Sequence, residues 1–331
     1  MRQGWCMLTL LLAMAWNPAS AAEVTEQQVA QAVSSPQVRL RASALQTLYD
    51  KSDFRALEFN LSQLPRLEQE AIRTLLVDHA VQSSELNQAK ADWLQAQAER
   101  KPEFTVIEQG DGYLVTKSAF YYGAKARGMV SKWQQHLLAG EMLVLAEGDQ
   151  LKLSSWLAGD LQTQTTRRDI FISQLPKLSD AAVENLVVQF VSDPKLMWLP
   201  DNAVIAHLAA VSGDEELYRL LWRRRTDAFS LAELNRLAAL APAPEAVAQL
   251  MAATQNPSLK SRAYKALINL KPLPVTAREF LIQKLGEVDD GQMVALELAQ
   301  QGHLDWLEQL ASASHSKVLQ NNFRAVQALA P

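Results

Sequence analysis

The chain has one cysteine, Cys6, and it lies in the first ten residues. Beyond it there is no thiol, which excludes a disulfide, a thiolate metal site and a cysteine nucleophile from the rest of the protein. Backbone breakers are also scarce. Glycine and proline number 12 and 13 in 331 residues, against about 12% of residues in average usage. Such a chain favours helices. A basic excess is missing as well: 32 Lys and Arg stand against 36 Asp and Glu, a net charge of −4. That balance disfavours a nucleic-acid binder, whose affinity rests on phosphate neutralisation. With 48% hydrophobic and 21% charged residues, the composition excludes a disordered or collagen-like chain. The length leaves room for a large core or for two domains.

The first 21 residues read as a secretory leader. Arg2 supplies the positive start, and residues 6–16 are almost unbroken apolar sequence. That run is too short to span a bilayer. Asn17 and Pro18 break it, and Ala19-Ser20-Ala21 gives the small-x-small cleavage pattern, so cleavage is expected near Ala22. Cys6 does not follow a lipoprotein motif. The expected compartment is the periplasm, with no membrane span after cleavage.

Punctuation divides the remainder into 22–102, 103–165 and 166–331. The first part has no glycine. The middle has seven glycines and no proline, and the last returns to sparse glycine. The outer parts read as short antiparallel helices. Ser212-x-x-Glu215, Ser230-x-x-Glu233 and Thr276-x-x-Glu279 match capping boxes. Ser35-Pro36 and Asn256-Pro257 place a capping residue before a first-turn proline. Leu231, Leu234, Leu237 and Ala241 share one helical face, as do Leu259, Ala263, Ala266, Leu267 and Leu270.

Helix pairs are expected to open near Pro36, Leu67, Asp180, Gly213, Pro244, Thr276 and His303. The later spacings are on the order of 30 residues, the scale of one helix-turn-helix repeat. Two openings also match each other: PQVRLRA at 36–42 aligns with PSLKSRA at 257–263. Arg324-Ala325 with Ala328-Leu329 is a fainter copy. This pattern resembles the HEAT repeat, whose first helix carries proline, then Val or Leu, then Arg-Ala before an Ala/Leu face. The resemblance implies a mainly α fold, an α-solenoid of antiparallel helix pairs. An irregular all-helical domain stays open beside it, because amphipathic hairpins alone do not fix a superhelix.

The middle part, 103–165, is expected to be a small β-containing insert of about four strands and one helix. FTVIE at 104–108 and YLVT at 113–116 flank the turn Gly110-Asp111-Gly112, a β-hairpin pattern. A helix over 124–138 follows, with Trp133 as its packing anchor. MLVL at 142–145 and QLKL at 150–153 flank Glu147-Gly148-Asp149 and predict a second hairpin.

Chemistry-bearing motifs are few. The five histidines, His79, His136, His207, His303 and His315, are scattered, and no His-Glu-x-x-His occurs. No nucleophile elbow, phosphate-binding glycine loop or dinucleotide fingerprint is present. The acidic pairs Glu147/Asp149, Glu215/Glu216 and Asp289/Asp290 flank turns or helix starts, where they suit the helix dipole. Arg223-Arg224-Arg225 closes a helix that opens with acids, which the dipole also favours. An anion or phospholipid contact is the rival reading of that run. Aromatics are densest in the middle part: Phe104, Tyr113, Phe120, Tyr121, Tyr122, Trp133 and Trp156. Binding surfaces gather such residues, and so does the core of a small β layer. Tyr121, Tyr122 and Trp156 are the candidate partner-binding residues. One of the two adjacent tyrosines is expected to be exposed.

These readings predict no catalytic, cofactor-binding or metal-binding residue. The expected function is a non-enzymatic periplasmic scaffold or adaptor that binds a protein partner in the cell envelope through the solenoid surface and the β insert. A superhelix binding envelope glycan, peptidoglycan above all, is the alternative, and an enzyme of unrecognised type the third.

Overall fold

A computed structural model describes residues 21–101, 103–109 and 113–328 of the chain. The leader and the Gly110-Asp111-Gly112 turn lie outside these residues, apart from Ala21. The protein is mainly helical, 73% helix, with 18 helices and one three-stranded sheet among the described residues. Between Leu137 and Leu138 the chain divides into two compact units.

The first unit opens with β1 (Ala22–Glu23) and continues through α1 (Glu26–Ser34), α2 (Pro36–Asp50), α3 (Phe54–Ser62), α4 (Arg66–Ser83) and α5 (Gln88–Glu99). Then come β2 (Phe104–Gln109), β3 (Leu114–Ser118) and the start of α6 (Tyr122–Glu147). Thr25 begins α1 through a reciprocal capping box with Gln28. The backbone N–H and side chain of these two residues satisfy each other's free groups, as such boxes do. Tyr49, Leu57, Leu61, Ile72, Leu76 and Leu94 fill the core. Tyr49 meets Phe54 and Trp93 edge-on, with ring centroids 5.7 and 5.5 Å apart.

The sheet runs in the order β1-β2-β3. β1 lies parallel to β2, and β2 pairs antiparallel with β3, Thr105 facing Ser118 and Gln109 facing Leu114. The first expected hairpin is therefore present. The parallel strand at Ala22 was not anticipated. Its backbone is stitched by Ala22 N–H to Glu103 O and Val24 N–H to Thr105 O, both 2.9 Å.

The second expected hairpin does not form, and the strand count is three rather than four among the described residues. Residues 142–145 are the end of α6. The reason is which side chains find cover. Met142 and Ala146 are buried four residues apart while Val144 is 73% exposed. A strand would have placed Met142 and Val144 on one face. A short apolar run fits either period, and burial at i and i+4 decides for the helix. Gly148 and Asp149 then close α6 by bonding back to Val144 O and Ala146 O, rather than turning a hairpin. Asp149 takes a left-handed φ of 54° to do so. Trp133 is not the packing anchor of this helix. It is half-buried and belongs to no core cluster; Tyr122, Ala126 and Val130 are the buried residues before it.

The second unit continues with α7 (Leu153–Trp156), α8 (Leu161–Gln174), α9 (Asp180–Ser192), α10 (Ala203–Ser212), α11 (Glu215–Arg223) and α12 (Ala228–Leu240). It ends with α13 (Pro244–Ala253), α14 (Lys260–Ile268), α15 (Val275–Leu285), α16 (Gly291–Gln300), α17 (Leu304–Ala313) and α18 (Lys317–Gln327). Every expected helix-pair opening falls within two residues of a helix start. Alternate helices form two ladders: α9, α11, α13 and α15 pack in sequence, and so do α8, α10, α12, α14, α16 and α18. The helical faces read from the sequence point inward. Leu234, Leu237, Leu259, Ala263 and Leu267 are buried.

The caps differ from expectation in detail. Asp214, not Ser212, caps α11 and accepts from Leu217 N–H at 2.8 Å. Asp227 caps α12, three residues ahead of Ser230, and shares a reciprocal capping box with it. Proline 274 precedes α15, and no side-chain cap bond forms there. Asn256 does not start a helix either. Its amide is buried and donates to Trp222 O at 2.9 Å and Arg224 O at 3.2 Å, tying one inter-helix loop to the next.

Candidate functional site

In the first unit a buried charged network lies beneath the tyrosine pair. Glu70 projects from α4 and is almost fully buried. Its Oε2 accepts from the Tyr122 hydroxyl at 2.8 Å, and its Oε1 stands 3.6 Å from Arg100 Nη2. Arg100 also donates to Glu103 at 2.9 Å. One turn along α4, buried Arg73 grips Glu58 with two nitrogens at 2.7 and 2.6 Å and Gln97 at 2.8 Å. The Trp93 indole N–H donates to the same Glu58 at 2.8 Å.

Burial sets the protonation behaviour here. It pushes the Glu70 carboxyl above its usual range, against the pull of Tyr122 and Arg100. Burial and the neighbouring carboxylate hold the Tyr122 hydroxyl in its neutral form, well above the ordinary tyrosine value. Glu58 is held low: burial alone would raise it, but the Arg73 fork and the Trp93 bond win. Tyr49, fully buried, is pushed up to about 12 by burial and by Asp50. A cavity of about 250 Å³ opens onto this network, lined among others by Glu70, Arg100, Tyr121, Tyr122 and Arg127. Glu70 Oε1 and Arg100 Nε are buried without a hydrogen-bond partner.

The two tyrosines have opposite roles. Tyr122 is 4% exposed and clamps the first residue of α6 to α4 through Glu70. Tyr121 is 54% exposed. The clamp on one fixes the outward direction of the other. Just upstream, the hairpin changes character along its length. Its root, Phe104, Val106 and Phe120, joins the core. Its far half is exposed on both faces, with Ile107, Tyr113 and Leu114 open to solvent. The outer edge of β3 pairs with no strand among the described residues.

Trp156, the third expected binding residue, lies in the second unit and is 7% exposed. Its indole N–H donates to Arg167 O at 3.0 Å, and the Arg167 guanidinium stacks over its ring at 5.4 Å. This is a core position. The sequence reading overlooked Trp198, which is 86% exposed at the end of a short 3-10 turn. Its only sequence signal is the flanking Pro194 and Pro200, which keep the segment out of a long amphipathic helix.

The arginine run divides. Arg224 is inside the fold: it donates to Asn202 Oδ1 at 2.6 Å and to Leu199 O at 2.7 Å, and it also reaches Met197 O. Arg223 and Arg225 are exposed. Among the described residues no three His, Cys, Asp or Glu side chains group as a metal ion would require. No helix there is long and apolar enough to cross a membrane. Compared with family models, with curated proteins and with solved structures, the chain has no match.

Proposed function

We propose that this protein is a non-enzymatic adaptor of the bacterial envelope. On this reading it is exported to the periplasm, loses its leader near Ala22, and captures a protein partner. Its helices form a HEAT-like α-solenoid, a reading supported by the two ladders of alternate helices and by the PxxxxRA match at 36–42 and 257–263, of which only the first opens its helix at the proline. The partner docks on the β2–β3 arm and Tyr121.

One observation carries this reading. The far half of the hairpin exposes Ile107, Tyr113 and Leu114 on a two-stranded arm with an open edge. A solitary hairpin is marginal in water, and an exposed apolar edge is a template for a further strand. Proteins that bind by strand addition use such an edge for main-chain hydrogen bonds and neighbouring side chains for selectivity. Tyr121, held outward by the Tyr122 clamp, supplies a rigid amphipathic neighbour three residues beyond β3.

The test is site-specific photocrosslinking in living cells, followed by mass spectrometry. A crosslinker at Leu114 should trap one dominant envelope protein, and the same group at Val288, exposed in the second unit, should not. A Leu114→Lys, Tyr121→Ala double variant should keep its helical spectrum and lose at least tenfold in capture. Unchanged capture by that variant would refute the reading. So would retention on peptidoglycan sacculi with no protein trapped, which would favour the glycan reading instead.

A further inference from the structure

The second unit holds a larger feature that the adaptor reading does not use. Between α11 and α13 runs an open groove of about 750 Å³. That is the size of a typical ligand cleft. One wall is the exposed face of α11, which begins with Glu215 and Glu216 and ends with Arg223, followed by Arg225. The opposite wall offers Gln255 and Ser258.

The charges in this groove are ordered. Glu216 is partnered by Arg219 one turn on. Arg223 and Arg225 form no ion pair among the described residues, although the chain as a whole is acidic. Arg224, between them, is fixed by its bonds to the 197–202 loop. Asn256 fixes the other side by bonding to Trp222 O and Arg224 O. The two free guanidinium groups are therefore carried on a rigid corner rather than on a free loop. Guanidinium forks of this kind favour carboxylates and phosphates through paired hydrogen bonds.

We propose that this groove docks an acidic peptide segment of a partner protein, lying along α11 with its acidic residues at Arg223 and Arg225. Three features favour a peptide over a phosphate ion or a lipid surface. The site is concave, which a flat bilayer cannot follow. Its far end carries Glu215, which forms no ion pair among the described residues and repels a uniformly anionic ligand, while Glu216 and Arg219 neutralise each other. The uncharged Gln255 and Ser258 suit the amides of a main chain. The register follows from helix geometry. Glu215 and Arg223 are eight residues apart on α11, about 12 Å at 1.5 Å per residue. An extended chain covers that in about four residues. The matching segment has an acidic pair followed, three or four residues on, by a lysine or arginine.

Fluorescence anisotropy on the full mature chain tests this, with the labelled peptide DDASK as probe. Binding should weaken with salt. It should fall at least tenfold in Arg223→Ala, Arg225→Ala, whose exposed side chains leave the fold intact by circular dichroism. It should also fall when the two acidic residues of the peptide become asparagine. An all-acidic peptide, DDASD, should bind more weakly than DDASK despite its greater charge. The charge-reversed Arg223→Glu, Arg225→Glu protein should prefer the peptide KKASK. Equal affinity for DDASK and DDASD overturns the register, and binding unaffected by the arginine variants overturns the site. Displacement by inorganic phosphate at equal charge, or capture of phosphatidylglycerol vesicles in preference to the peptide, overturns the peptide assignment. None of these outcomes depends on Leu114 or Tyr121, so this site and the hairpin arm fail or stand separately.

Discussion

Tyr122→Phe removes one oxygen from the first unit, and the geometry states what that should cost. The hydroxyl donates to Glu70 Oε2 at 2.8 Å, and Glu70 Oε1 has no hydrogen-bond partner, only Arg100 at 3.6 Å. Without the hydroxyl, both carboxylate oxygens are buried and served by one distant guanidinium. A hydrogen bond to a charged group contributes about 1.5–3 kcal/mol, and a neutral one about 1 kcal/mol. The loss should therefore depend on pH. Burial holds the Glu70 carboxyl above its usual range in the fold. Between the unfolded and folded pKa the native state binds the extra proton, so stability falls as pH rises through that window. The Tyr122 bond pulls the folded pKa down, and its removal extends the window upward. The variant should lose about 1 kcal/mol near pH 3, below the ordinary glutamate value of about 4.3, where the carboxyl is protonated in both states. Above the window it should lose about 2–3 kcal/mol. Native-state hydrogen exchange of the α4 amides in the full chain reads this locally. Equal losses at pH 3 and pH 8, or a loss below about 0.5 kcal/mol at both, would refute the clamp. Tyr121→Ala is the control and should stay within about 0.5 kcal/mol, as exposed substitutions do.

Trp156→Ala should destabilise the second unit by about 3–5 kcal/mol, measured by urea unfolding, since it empties a buried ring site. Arg224→Ala should cost about 2–3 kcal/mol and speed amide exchange across residues 197–202, whose carbonyls it holds. Asp290 is pushed up by burial, but the Lys260 and Tyr264 bonds, each 2.6 Å, hold its carboxyl below the usual range. Its contribution is therefore present above the unfolded pKa of about 4 and lost as pH falls through the folded value. Asp290→Asn should flatten that acid loss, as read by melting temperature between pH 2 and pH 7.

The helical ladder was legible because it is written locally. Pro36, Asp180 and Pro244 begin helices, and each suits a first turn through a fixed φ or a negative charge. The apolar spacing behind them needs no tertiary knowledge. What was not legible depends on distant partners. Asn256-Pro257 reads as a helix cap, yet the amide is taken by Trp222 O and Arg224 O more than 30 residues earlier. Residues 142–145 read as a strand because four apolar residues fit both periods. Only the cover over Met142 and Ala146, and its lack over Val144, decides between them. Ala22 and Glu23 carry no strand signal at all; they pair because β2 offers them an edge.

The candidate residues show the same division at single positions. Composition marked the middle segment as aromatic, but composition does not separate a core ring from a surface ring. Trp156 and Tyr122 went inward because each polar atom found a partner there, Arg167 O and Glu70. A buried indole or phenol needs such a partner. Trp198 makes no such bond among the described residues and stands in solvent. The arginine triplet makes the point most sharply. The helix dipole accounts for Arg223, the last residue of α11, and for nothing after it. Arg224 is spent on four acceptors in the 197–202 segment, three backbone carbonyls and the Asn202 side chain. Arg225 is left facing solvent beside Arg223, across a corner that Arg224 makes rigid. Three identical residues in a row thus divide into a fixed centre and two free flanks, and that division, not the count of positive charges, orients the groove.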